Sequence, residues 1–242
     1  MSDDAERLAA IVEALMNAPE RRASIAPDDV VAIAAHLGAQ VDRAAEARAE
    51  AGARQHLPIV CERGCTGCCE EPVMVWAPEA QAVARWLMEP AHADARARFL
   101  AAFPAWQKAA GDGPRRLAER YARGVGEAYL AEHREQWGKR VMCAFNHDGD
   151  CAIYPVRPLT CRNGHAIETA TRCSGANAGG RPAARLEFAP LDEYLVNAEA
   201  VLRALHHSTG GERKRTQALC EAVHRLLQSA LAAERKAAKR AP

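Results

Sequence analysis

Aromatic residues are scarce in this chain: four each of Phe, Trp and Tyr make up 5% of its 242 positions. Extended sheets draw on aromatic and β-branched side chains, so the scarcity disfavours a large sheet. Charge of one sign is also lacking, because 32 Lys and Arg offset 31 Asp and Glu to a net charge of +1. Nucleic-acid domains concentrate basic residues on one face, so no nucleic-acid partner is expected. The chain has no apolar run of about 18 residues, the length that spans a bilayer, and no membrane partner is expected. Its first residues, Met1 to Glu6, are polar and acidic. They lack the basic and apolar regions of a secretory signal, so a cytoplasmic location is the expectation. Gly124-Val125-Gly126 is a lone glycine pair without the preceding strand or third glycine of a dinucleotide site. No S-adenosylmethionine motif stands out. Asn146 to Asp150 resembles the start of a calcium loop, but Cys151 replaces the glycine at position six and Arg157 the glutamate at position twelve.

What is present is alanine, and with it helical periodicity. Leu8, Ile11, Val12, Leu15 and Met16 form a stripe that Pro19 ends. Pro27, followed by Asp28 and Asp29, opens a second helix running to about Arg54, with Val30, Ile33, Ala34, Leu37 and Val41 on its apolar face. Pro58 closes this region. Residues 73–76 are short and β-prone. Pro78-Glu79 starts another helix with Val83, Trp86 and Leu87 buried, and helices are expected over 92–108 and 114–137. Residues 141–145 and 152–154 read as short strands around His147-Asp148-Gly149, an Asp-Gly hairpin signal. Residues 174–182 read as a flexible loop. Helices are expected over 190–207 and 212–238, the last with Leu219, Val223, Leu226, Leu227, Ala230 and Leu231 in register and a basic end. There is no internal repeat. The expected architecture is mainly α with a small β-hairpin, a helical shell around a cysteine-rich metal-binding centre. One domain covers 1–242: N-terminal helices in 1–57, the cysteine-cluster core in 58–175, and C-terminal helices in 185–242.

Cysteine is not scarce. The chain has nine, and eight fall into two groups. Cys61, Cys65, Cys68 and Cys69 form the first; Cys143, Cys151, Cys161 and Cys173 form the second. Cys220 stands apart in a helical register and reads as a small core residue. Reducing compartments keep thiols open, so a disulfide framework is not expected, and clustered cysteines there point to metal or redox chemistry. Neighbouring thiolates repel, and a cation makes the crowding favourable. Gly64 and Gly67 let the first loop turn and present backbone N–H groups to sulfur. Cys68 and Cys69, being adjacent, do not easily serve one tetrahedral ion; one of them is left for a second metal, a substrate or a free thiol. Pro155 and Pro158 stiffen the segment between Cys151 and Cys161. Arg157 or Arg162 would either offset thiolate charge or form an ordinary surface ion pair. His165 is placed to act as a ligand or as its hydrogen-bond partner, whereas His206, His207 and His224 read as solvated.

The combined pattern, Cys61-x3-Cys65-x2-Cys68-Cys69 and then Cys143-x7-Cys151-x-Ile153-Tyr154-x-x-Arg157-Pro158-x-x-Cys161-Arg162, resembles the YkgJ-like cysteine-cluster family, also called the CxxCxxCC family. The resemblance covers roughly residues 60–175, and the first gap is one residue longer than the family's name implies. It implies a zinc- or iron-chelating domain with Cys61, Cys65, Cys68, Cys69, Cys143, Cys151 and Cys161 as metal ligands, and Cys173 following the motif. The family is similar to part of the flagellin lysine N-methylases, whose cysteine cluster is associated with iron–sulfur. That implies a second reading, an S-adenosylmethionine-dependent protein lysine N-methylase-like enzyme with an accessory iron–sulfur cluster. A third is a metal-handling or cluster-assembly protein. Eight cysteines suffice for two four-thiolate zinc sites or for a cluster. The spacing matches neither a ferredoxin run nor paired zinc knuckles, and an iron–sulfur cluster is slightly favoured. Substrate and protein partner cannot be read from these residues.

Overall fold

A computed structural model describes residues 6–7, 10–13, 26–54, 64–163, 200–203, 205–206 and 216–240. Cys61, Cys173, His165, His207 and the 174–182 loop lie outside the described residues, as does most of the helix expected over 190–207. The described residues are mainly helical, with small two-stranded pairings. None of the described helices is long and apolar enough to cross a membrane.

Helix α1, Pro27–Arg54, has Asp28 and Asp29 in its first turn, where the N–H groups left unpaired favour negative charge. Val30, Ile33, Leu37, Val41 and Ala45 recur at helical spacing and are buried. After the thiol loop, β1 (Met74–Val75) leads into α2, Ala77–Met88. This helix is buried on several sides, because α1 packs on one face and the C-terminal helix on another. Val83 and Leu87 are fully covered as their spacing predicts, while Trp86 is only half-buried and stacks on His92.

Helix α3, Ala93–Ala110, contributes Phe99 and Phe103 to the core. The helix expected over 114–137 is two helices. Gly124 takes φ 117°, a conformation costly to side-chain-bearing residues, and it splits the run into α4 (Gly113–Arg123) and α5 (Glu127–Gly138). The two fold back on each other: Arg116 reaches Glu132 at 3.0 Å and Glu135 at 3.1 Å across the turn. A Cβ on Gly113 would lie 1.9 Å from Gln136 Oε1, so the absence of a side chain there permits the close approach.

The hairpin forms where Asp-Gly placed it, but its strands are displaced from the expected 141–145 and 152–154. Strands β2 (Asn146–His147) and β3 (Asp150–Cys151) flank Asp148 and Gly149 directly, with Asn146 opposite Cys151. Asp148 and Gly149 both have positive φ, 51° and 91°, the signature of a two-residue primed turn. Such a turn pairs the residues immediately beside it, which is why the ladder starts there. Helix α6, Leu159–Asn163, follows the Pro155-to-Pro158 segment.

The final helix begins later than the expected 212. Residues 217 and 218 form β4 (Gln217–Ala218), which pairs antiparallel with β1, and α7 runs over Leu219–Ala238. The Leu219 N–H extends the pairing to the Val73 carbonyl at 3.0 Å. A long-range strand partner overrides helical propensity at these two positions. Leu219, Cys220, Val223 and Leu227 are buried, and the basic end is exposed.

Two apolar clusters result. One joins α2, α3, the hairpin and α7, with Phe99 and Phe145 stacked at 4.1 Å. The other joins α1, Trp76, Leu159 and the helical residues 200–203 and 205–206, with Ile11 and Val12 against it. His206 is not solvated: it is buried against Trp76, ring centres 5.4 Å apart. His224 likewise stacks on Phe103 at 3.7 Å, and burial pushes its pKa down.

The buried Arg162 side chain connects α6 to α1. It pairs with Asp42 and donates to the carbonyls of Arg157 at 2.7 Å and Pro155 at 2.8 Å. A Cβ on Gly38 would come within 3.0 Å of its guanidinium, so α1 is thin where Arg162 lies. Asp42→Ala should strand this buried cation. Removing one partner of a buried pair costs about 3–5 kcal/mol. The Asp42 side chain is 35% exposed, so water recovers part of this, and the expected loss is about 2 kcal/mol. Urea unfolding checks it; an unchanged midpoint would mean the pair does not hold the loop.

Candidate metal centre

The described part of the first thiol group starts at Gly64, where φ of 90° turns the chain. Cys65 follows, half-buried, and Cys68 and Cys69 lie on the 3-10 turn Gly67–Glu70. The Cys69 N–H donates to the Thr66 carbonyl at 2.9 Å. The Cys69 carbonyl accepts from the Cys143 N–H, also at 2.9 Å. That bond ties the two cysteine groups together through the backbone. Beside it, the Asn146 amide donates to the Cys69 sulfur at 3.5 Å. The hairpin turn lies against the first loop: a Cβ on Gly149 would meet the Gly64 carbonyl at 3.5 Å.

Glu70 and Arg140 brace the junction. The Arg140 Nε–H lies 3.1 and 3.4 Å from the two oxygens of the buried Glu70 carboxylate. Arg140 itself has a positive φ of 56°, which redirects the chain from α5 toward Cys143.

Cys151 belongs to β3 and Cys161 to α6. The start of α6, two residues before Cys161, is fixed by Glu79, whose carboxylate serves two helix starts. One oxygen accepts from the Trp76 N–H at 3.0 Å and the other from the Leu159 N–H at 2.9 Å. Both arginines of the segment turn to Asp42. Arg157 lies 3.2 Å from its carboxylate and stacks 3.8 Å over the Tyr154 ring. Arg162 takes the other oxygen. They are therefore structural ion pairs first, although the Arg157 charge also acts on Cys151 in the direction that lowers its pKa.

The thiols feel one another. The Cys143 thiol is pushed well above its ordinary value by its hydrogen bond with Cys220, by burial and by the charges of Cys220 and Cys68. Burial pushes Cys151 up to about 11, and Cys143 and Cys68 add to that. Cys161 is also pushed well up, by burial first and then by Cys143, Cys68, Cys151 and Glu79. Some surface of Cys143 and Cys161 reaches solvent, but protein surrounds each sulfur closely enough to deny a thiolate its hydration. Cys68, Cys143, Cys151 and Cys161 thus come within electrostatic reach of one another from segments far apart in the chain. Cys65 makes no hydrogen bond with another thiol among the described residues. None of the described cysteines is in a disulfide. Among the described residues, no three His, Cys, Asp or Glu side chains converge at metal-ligand geometry.

An open cleft lies beside the thiols. Cys69, Cys143 and Cys220 line one part of it, and Trp106, Leu117 and Val141 line another. Cys220 is a core residue, as its register predicted, yet its sulfur is 3.8 Å from that of Cys143. No sequence signal marked that contact, nor Asp42 as the partner of both arginines. Glu79 carried a signal, as an acidic residue in a first helical turn, but its second bond to Leu159 is purely tertiary.

Comparison with models of known families, with curated proteins and with solved structures finds no match to this chain.

In metal-free protein the raised Cys151 pKa has a consequence for stability. A neutral thiol is favoured in the fold below pH 9, and that advantage is lost as pH rises toward about 11. Relative to Cys151→Val, the wild type should therefore lose about 2–3 kcal/mol between those limits. Urea midpoints measured in chelator and reductant across this range check it. Parallel pH profiles for the two proteins would contradict the assignment.

Proposed function

We propose that this chain is a cysteine-cluster metal-binding protein that chelates zinc or iron, the iron in an iron–sulfur cluster, in the manner of the YkgJ-like family. The observation that carries the reading is the mutual influence of Cys68, Cys143, Cys151 and Cys161. Thiols packed this way cannot ionise together without a compensating charge, because each thiolate raises the cost of the next. The donor set suits a thiophilic cation: it is rich in sulfur, and two independent devices hold its segments, Glu79 at Leu159 and Arg162 at Asp42. A bound zinc ion or cluster would supply the positive charge that makes the crowded thiolates stable.

The chain's own residues divide the remaining tasks. Cys69 and Asn146 fix the first loop against the hairpin. Glu70 and Arg140 keep the junction closed. Cys65, Cys68, Cys69, Cys143, Cys151 and Cys161 are the candidate ligands within the described residues, and Cys61 and Cys173 belong to the set by their place in the sequence pattern. Binding would displace thiol protons, so affinity should rise with pH through the neutral range.

Elemental analysis of protein purified without oxygen tests the proposal, by counting iron and zinc atoms per chain. Several irons would support a cluster; one or two zincs would support closed thiolate sites. Cys65→Ala and Cys161→Ala should each lower metal content and solubility. Wild-type protein that stays metal-free when exposed to zinc, and to iron with sulfide under reducing conditions, would end the reading.

A further inference from the structure

The Cys143 and Cys220 sulfurs stand 3.8 Å apart. Metal–sulfur bonds of about 2.3 Å at a tetrahedral centre set ligand sulfurs about 3.8 Å from each other. The pair therefore already spans one edge of a tetrahedral thiolate site. The cleft beside them gives a small ion a way in.

We propose that Cys220 is a metal ligand, sharing a single tetrahedral cation of the zinc type with Cys143. The proposal rests on the metal-binding reading above and extends it to a residue outside the cysteine pattern of the sequence.

Several observations agree. The two thiols lie within hydrogen-bond reach, and either can be the donor. A divalent ion bound between them would displace both thiol protons to the solvent. Cys220 is the second residue of α7, which follows β4, and the pairing of β4 with β1 fixes it relative to the first thiol loop. Cys69 lines the same cleft, and its carbonyl accepts from the Cys143 N–H, which ties the first thiol loop to the pair. Two cysteines on one tetrahedral edge suit a mononuclear ion, or one iron of a two-iron cluster, but not a cubane, which takes one cysteine at each iron.

The test uses the full chain, reduced and stripped of metal, titrated with zinc against a competing chromophoric chelator. Cobalt(II) absorption reports thiolate ligation in parallel. Cys220→Val keeps the core apolar and close to its volume, and Cys220→Ala and Cys220→Ser bracket it in size and polarity. Removing a residue that merely orients a ligand costs about 10–100-fold in affinity. Loss of a ligand should cost at least that at one zinc site, in every variant that keeps the wild-type thermal melt of the metal-free state. The sulfur-to-cobalt absorption should fall in step, and Cys143→Ser should abolish the same site. Wild-type zinc affinity and an unchanged cobalt spectrum in Cys220→Val would overturn the proposal and leave the metal-binding reading standing. So would a metal-loaded wild type whose peptide map shows Cys143 and Cys220 joined as a disulfide. A wild type that binds neither ion, and takes up no iron when iron and sulfide are supplied, would overturn both.

Discussion

The buried guanidinium of Arg162 is the constraint from which the arrangement of the thiols follows. Burial lowers its pKa, and Asp42 opposes that shift. A buried cation is tolerated only where its donors are satisfied, and here a carboxylate on α1 and two carbonyls of its own loop satisfy them. Those bonds curl the Pro155-to-Pro158 segment around the side chain and fix α6 against α1. Glu79 then anchors the start of α6 to the start of α2. Cys151 and Cys161 sit at the two ends of this braced loop.

The other half of the site is held differently. The first thiol loop has little apolar content of its own, and its position comes from the backbone bond between Cys69 and Cys143 and from the Glu70–Arg140 pair. Aromatic packing of Phe145 on Phe99 fixes the segment that carries Cys143. A few directional polar contacts therefore position the thiols against a core that is otherwise alanine-rich and closely packed. Thiols in such surroundings are held neutral by burial and by one another.

Much of the helical framework was legible in the sequence. The stripe of Val30, Ile33, Leu37 and Val41, the Pro78-Glu79 start and the Asp-Gly turn each carry local physics strong enough to survive in the fold. The misses share one cause. Gly124 sits in a run with helical periodicity on both sides, and only the antiparallel packing of Arg116 on Glu132 shows why the chain turns there. Residues 217 and 218 became a strand because β1 offered them backbone partners more than a hundred positions away. His206 and His224 were read as solvated because neighbouring polar residues do not reveal that Trp76 and Phe103 cover them.

The grouping of the cysteines is likewise a sequence property in part. Spacing alone assembled Cys65, Cys68 and Cys69 in one loop, and placed Cys151 and Cys161 at either end of a stiff proline-bearing segment. Local spacing constrains a short loop because few conformations connect its ends. Nothing local reports which loop meets which, so the approach of Cys68 to Cys143, Cys151 and Cys161 was decided only in three dimensions. The same holds for Cys220, whose helical register determined that it is buried. Its neighbour was determined by the pairing of β4 with β1, because burial depends on the pattern within one element whereas contact depends on how separate elements dock.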